Sequence, residues 1–464
     1  MEARENPSSL LQRHQGVTPP WVPLFYDSPL SIHHGDGCLV TDDEGKAYLD
    51  FYSGISTNLL GYNLPEVREA LIGQLNTGVV HTSTFYLIRA QVQMAERVAR
   101  LSGMDDPMVF FTCSGTEAVE TALLLTTEYR DSSQVISLRR SYHGRSFGAL
   151  AVTGIRCWQG RGLSPLRVAF APGGRRRGDR AGMDDAAYVR STAEELEELI
   201  ASSTPATTAA MLVEPVQGMG GAIPLAPGQL HAYQEILRRH DIPLIVDEIQ
   251  TGWGRTGKYW GFQSHNVTPD MLVFAKGVGN GLTMGGVVGR REIMSALNVS
   301  SISSFGGNPL SMAAATATLD YIEEHSLPSH AERTGALLLE GLRRDLADVS
   351  WVYEVRGMGL LQAIEFAHPG SADPSSRMAS AVQERCRRAG LLVGVGGAAG
   401  NCLRIMPPLI VSEEQARQGL DVITAAIRQS AADIASSVSN RGSSWGTTAC
   451  MTAAPHSEVS DDTR

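Results

Sequence analysis

The stretch "DMLVFAKGVGNGLTMGG", residues 270–286, decides how the chain is read. An apolar run ends in Lys276, and five glycines follow within ten positions. Only three lysines occur, Lys46, Lys258 and Lys276, among 39 basic residues, so the rest are arginine. A chain this poor in lysine keeps one at the end of a buried-looking strand. An always-charged guanidinium there could not form an imine, whereas an amine can.

Upstream, "IPLIVDEIQTGWGRTGK" (242–258) is a second apolar run that ends in acids, Asp247 and Glu248. Carboxylates are rarely buried unless paired, and ligands of open α/β sheets sit beyond the carboxyl ends of strands. Lys276 follows Asp247 by 29 residues, the length of one strand–crossover–strand unit. Two adjacent strands are therefore expected to aim an acid and an amine into one crevice.

Further short apolar runs share this pattern: "PMVFFT", "QVISL", "LRVAFA", "AAMLVE", "PLIVDE", "MLVFAK" and "GGVVG", separated by helical segments. They predict an α/β fold, a mostly parallel sheet with helices on both faces. Residues 1–62 read as an extended arm and small strand meander, and 63–312 as the large domain. The pattern after "PLSMAAATATLDYIEEH" predicts a smaller α+β domain over 313–435, joined by the N-terminal segment. Residues 436–464 are polar and aperiodic, and are expected to be a disordered tail. The charged "PGGRRRGDRAG" segment (172–182) reads as a solvated surface insertion.

Bulk composition removes several classes of function. The formal charge of −10 argues against a nucleic-acid or anionic-membrane binder. No apolar run approaches the roughly 18–20 residues of a membrane span, and the N-terminus lacks a signal-peptide core. Six scattered cysteines fit reduced thiols in a cytoplasmic protein, and no CxxC or HExxH spacing points to a metal.

Two more stretches carry chemistry. In "MVFFTCSGTEAVETALLL", a strand runs into Ser114-Gly115-Thr116 and then a helix, whose free amides suit a phosphate. A plain capped helix start would look the same. In "QVISLRRSYHGRSFGAL", Tyr142 follows a strand, where an aromatic can stack on a flat heterocycle or simply pack. An acid, an amine, a phosphate cradle and an aromatic together fit pyridoxal phosphate (PLP). The lysine forms an imine with the aldehyde carbon, and the aspartate keeps the pyridine nitrogen protonated. Desolvation is expected to lower the Lys276 pKa.

With those residues in place, the chain resembles the class III aminotransferases (ornithine, GABA and alanine–glyoxylate type) of PLP fold type I. The resemblance covers about residues 20–430 and rests on "SGTEAVETAL", "SYHGRSFGAL", "EPVQGMGG", "LIVDEIQTGWGRTGK", "FAKGVGNGL", "SSFGGNPLSMAAA", "VRGMGLLQAIEF" and "LRIMPPL". It implies Lys276 as the Schiff-base lysine and Asp247 as partner of the pyridine nitrogen. It further implies Gln250 at the ring 3-hydroxyl, Tyr142 on the ring, Ser114, Gly115 and Thr116 at the phosphate, and Glu214 as a buried acid beside the cofactor. Arg404 would grip a substrate carboxylate. A homodimer is implied, with Ser304 in place of the family's threonine reaching the neighbouring cofactor.

The chain departs from the ornithine and GABA members at Met219, where they carry a glutamate that neutralises the arginine. It also has "GYNLPEV" (61–67) where the family has a GHxHP element. The expected reaction moves an amino group from an amino acid or ω-amine donor to pyruvate, glyoxylate or 2-oxoglutarate. A PLP-dependent lyase, decarboxylase or epimerase shares the same cofactor shell, and a non-catalytic PLP-binding protein is a further alternative. A dinucleotide-dependent oxidoreductase using "GVGNG" is weaker, because a strand rather than a helix is expected to follow.

Overall fold

The seven apolar runs come together as one sheet in the computed structural model, which describes residues 7–159, 164–176 and 178–439. In spatial order its strands are Pro107–Thr112, Gly285–Arg290, Met271–Ala275, Leu244–Asp247, Ala210–Val213, Gln134–Leu138 and Arg167–Ala171. Every neighbouring pair is parallel except where Gly285–Arg290 runs antiparallel to the strands on both sides. Chain length explains the exception. A parallel return needs a crossover of a dozen or more residues, and the Lys276–Met284 connection is too short.

Alternate residues of a strand face opposite sides, and the packing follows that rule. Leu272 and Phe274 enter one apolar core with Leu196, Tyr233 and Leu237 from the helices Asp185–Ser203 and Gln229–Arg239. Met271 and Val273 enter the other, where the helix Gly115–Arg130 supplies Ala118, Val119 and Ala122. Both faces of the sheet are therefore covered. The sheet's carboxyl edge is left for chemistry.

The N-terminal meander Ile32–Asp36, Leu39–Asp42 and Ala47–Asp50 is completed by Leu391–Leu392, which pairs parallel to Ala47–Asp50. The two ends of the chain thus share a sheet. A four-stranded antiparallel sheet follows, in the order Val352–Met358, Leu361–Phe366, Cys402–Ile405 and Gly394–Gly396. This is the expected PLP fold type I arrangement, a large α/β sheet beside a smaller α+β unit.

Two expectations need correction. The closing helix runs Glu413–Ser439, so residues 436–439 are helical, and 440–464 lie outside the described residues. The 172–182 segment is not simply solvated. Arg175 is only 7% exposed and bonds Glu354 and Glu365, while Arg356 bonds the same two carboxylates. Those acids lie far along the chain, so the segment's own composition carried no sign of them. Among the described residues, Cys38, Cys113, Cys386 and Cys402 are free thiols.

Candidate active site

Asp247 ends the strand Leu244–Asp247, and Lys276 directly follows its parallel neighbour Met271–Ala275. Both line a cavity of about 470 Å³ at the carboxyl edge of the sheet, as the 29-residue interval led us to expect. Lys276 opens the short turn Lys276–Gly279 with a left-handed backbone (φ 51°). A side-chain-bearing residue pays about 1–3 kcal/mol for such a conformation, which the surrounding packing must hold in place. The "GVGNG" glycines form this turn and lead into an antiparallel strand, so no phosphate-binding helix follows them.

One end of the cavity is a helix N-terminus. Ser114 caps the helix Gly115–Arg130, its Oγ accepting from the Glu117 amide at 3.2 Å, while Glu117 accepts from the Cys113 amide. Ser114, Gly115 and Thr116 line the cavity there. A Cβ at 115 would lie 2.7 Å from Ile249 Cδ1, so glycine leaves that side chain its place. The positive end of the helix dipole and its unpaired amides favour an anion.

Acids and a histidine form the floor. Asp247 Oδ1 accepts from the Ile249 amide at 3.0 Å, and Oδ2 lies 2.7 Å from His143 Nδ1. His143 is buried, and its Nε2 has no hydrogen-bond partner. Glu214 accepts from the amides of Tyr142 and Gly218, both at 2.9 Å, and burial pushes its pKa up to about 7. Glu248 points to the other side of its strand, where Thr251 and the Gly261 and Phe262 amides satisfy it. That acid supports packing, not the cavity. Burial lowers the Lys276 pKa to about 8; Asp247 pulls it back up, Arg404 adds to the lowering, and Glu214 opposes it.

At the far end, Arg404 is buried in the strand Cys402–Ile405. Its Nη2 donates to Gln250 Oε1 at 2.9 Å, and its nitrogens approach the sulfurs of Met219 (3.8 Å) and Met406 (3.4 Å). No carboxylate is among these partners. Tyr142 lines the cavity with its ring edge-on to Trp158, centroids 5.4 Å apart. Of the expected site residues only Ser304 lies elsewhere, exposed and outside this chain's cavity. His143 and Trp158 were missed as site residues. His143 stands beside Tyr142 in "SYHG", a signal that was available; Trp158 offered none.

A family profile described as "Aminotransferase class-III" matches residues 25–427. The chain belongs to the class III aminotransferases. This aminotransferase is 33% identical over 410 residues to alanine–glyoxylate aminotransferase 2 homolog 2 of Arabidopsis thaliana, covering 88% of this chain and 84% of that one. It is 34% identical to the acetylornithine aminotransferase of Methanothermobacter thermautotrophicus, covering 85% and 93%. In three dimensions it is similar to a PLP-bound amine transaminase from an uncultivated Pseudomonas species, with TM-score 0.82, 30% identity and coverage of 88% and 95%. Class III aminotransferases depend on PLP, and the donor set suits that group. One cavity brings together a desolvated amine, a buried carboxylate and a helix N-terminus, with an unsatisfied histidine nitrogen beneath. No described helix is long and apolar enough to cross a membrane.

Proposed function

We propose that Lys276 anchors PLP covalently in this cavity, with the phosphate at Ser114, Gly115 and Thr116 and the pyridine nitrogen at Asp247. Tyr142 lies against the ring, Gln250 meets its 3-hydroxyl, and Glu214 is the acid beside it. The observation that carries this reading is Lys276 and Asp247 on adjacent parallel strands, both facing one cavity that ends at a helix N-terminus.

When bound, the cofactor supplies an electron sink for the substrate carbon that loses its proton. Lys276 Nζ would take that proton and return it, and its pKa, lowered to about 8 by burial, leaves a useful fraction neutral near that pH. Asp247 holds a positive charge at the ring nitrogen, and His143 fixes the carboxylate in place. Arg404 grips the carboxylate of the amino donor and then of the keto acid.

Met219 sits where an acid would have to stand to neutralise Arg404, so the guanidinium is constantly available. That supports a donor carrying one carboxylate, an α- or ω-amino acid, and a small acceptor such as pyruvate or glyoxylate, with 2-oxoglutarate as the larger candidate.

A homodimer belongs to the same proposal, with Ser304 reaching the neighbouring subunit's cofactor. Ser304 lies among exposed Val299, Ile302 and Phe305, and the Phe305 ring is 4.7 Å from His81, near exposed Phe85, Tyr86 and Leu87. Apolar patches of this kind mark interaction surfaces. The division at residues 62 and 312 is supported by the sheet that Ala47–Asp50 shares with Leu391–Leu392. The free thiols support a cytoplasmic location.

The test is a screen of amino donors against pyruvate, glyoxylate and 2-oxoglutarate with wild type and Lys276→Ala. Amino transfer by wild type that disappears in the variant is expected; equal turnover by the two proteins would overturn the assignment.

A further inference from the structure

Two glycines in the strand Gly394–Gly396 have no backbone reason to be glycine, since neither adopts a positive φ. Both are required by space. A Cβ on Gly394 would lie 2.0 Å from Tyr52 Cε2, and one on Gly396 would lie 2.5 Å from Arg404 Cδ. Positions 394 and 396 share one face of their strand, so the two missing side chains leave one continuous trough. Tyr52 and Arg404 lie in it, with the guanidinium carbon 5.9 Å from the ring centroid.

The trough is braced around its rim. The strand carrying Arg404 continues into Met406, whose amide donates to Phe51 O at 2.7 Å and whose carbonyl accepts from Ser53 Oγ at 2.7 Å. Tyr52 is thereby held between two anchors on the Arg404 strand. Across the cavity Gly218 plays a similar part: a Cβ there would collide with Gln250 Oε1, the acceptor for Arg404 Nη2. The Gly397 amide donates to Met219 O at 2.9 Å, tying the Met219 turn to the same strand end. Arg404 Nε is left buried without a partner.

We propose that Gly394 and Gly396 are positioning residues for carboxylate recognition, keeping open the trough in which Tyr52 backs the Arg404 guanidinium and aims its free donors into the cavity. This rests on the reading of Arg404 as the carboxylate-binding residue. An arginine without a fixed counter-ion keeps its bidentate fork for the ligand, but only if its long side chain is held in one place. The trough holds it without charge.

The experiment uses the PLP-loaded enzyme and a non-reacting carboxylate, propionate, whose affinity is measured by isothermal titration calorimetry. Compared are wild type, Arg404→Gln, Gly396→Ala, Gly394→Ala, Tyr52→Ala and the double variant Tyr52→Ala/Gly394→Ala. Both single glycine variants are expected to bind propionate about tenfold or more weakly, equivalent to roughly 1.4 kcal/mol. In the Tyr52→Ala background, Gly394→Ala is expected to add little further loss, because the ring it strikes is gone.

Kinetics give a second readout with pyruvate as acceptor. The ratio of kcat/KM for β-alanine to that for n-propylamine, which lacks the carboxylate, should fall about tenfold in Gly396→Ala, through KM rather than kcat. A general folding defect would lower both donors together. Loss of propionate binding in Arg404→Gln with wild-type affinity in both glycine variants overturns the trough alone. Equal binding by wild type and Arg404→Gln overturns the Arg404 reading, and the trough with it.

Discussion

His143 Nδ1 lies 2.7 Å from Asp247 Oδ2, and the two side chains are 0% and 4% exposed. A carboxylate so enclosed is held at one angle by the imidazole on one oxygen and the Ile249 amide on the other. Hydrogen bonds to charged groups are worth about 1.5–3 kcal/mol. His143→Phe is therefore expected to lower kcat by roughly 10- to 100-fold while the protein still takes up PLP. Steady-state kinetics alongside the cofactor absorbance band check this, and an unchanged kcat would remove His143 from the site.

Lys276 offers a prediction in the cofactor-free protein. Its pKa falls from 10.5 to about 8 on folding, chiefly through burial. Between those values the unfolded chain binds more protons than the folded one, so the contribution of Lys276 to stability improves as pH rises through the window. Below about 8 the desolvated ammonium destabilises in full. Apo Lys276→Met is thus expected to melt above apo wild type at pH 7, the gap narrowing from pH 8 to 10.5. Glu214, with its pKa raised to about 7, has the opposite slope at lower pH but is common to both proteins. Identical melting temperatures at pH 7 would contradict the desolvation argument.

Met219 Sδ is 3.8 Å from Arg404 Nη1. A carboxylate placed there by Met219→Glu would pair with the guanidinium and compete with the substrate. KM for carboxylate-bearing donors is expected to rise about tenfold, with little change for n-propylamine. Parallel changes for both donors would mean that Met219 shapes the cavity without acting through Arg404.

The pairs made by Arg175 and Arg356 differ sharply in depth. Glu365 is 3% exposed, whereas Glu354 is 41% exposed. Removing Glu365 takes the only buried carboxylate from two buried guanidinium groups and leaves them the half-exposed Glu354 alone, so Glu365→Ala is expected to cost about 3–5 kcal/mol of stability. Glu354→Ala leaves water to take over and should cost about 1 kcal/mol or less. Urea unfolding of the two variants decides the ranking, and equal losses would refute it.

Much of this enzyme was legible along the chain. Seven apolar runs became seven strands because each is long enough to cross the sheet and too apolar to lie elsewhere. Asp247 and Lys276 could be placed together because strand ends and crossover length are local properties. Ser114 was readable as a helix start for the same reason.

What the linear chain did not contain was the surroundings of those groups. Arg175 looked solvated until two distant acids closed on it. The identity of His143 as Asp247's partner, the sulfur-lined setting of Arg404 and the trough at Gly394 and Gly396 that holds Tyr52 all join segments far apart in sequence. Such contacts depend on which side chains share a space, and only the packed chain defines that. Residue types and spacing determined which strand ends carry the acid and the amine in this protein; tertiary packing decided which neighbours hold each group in place, since burial and contact at close range have no counterpart in a one-dimensional pattern.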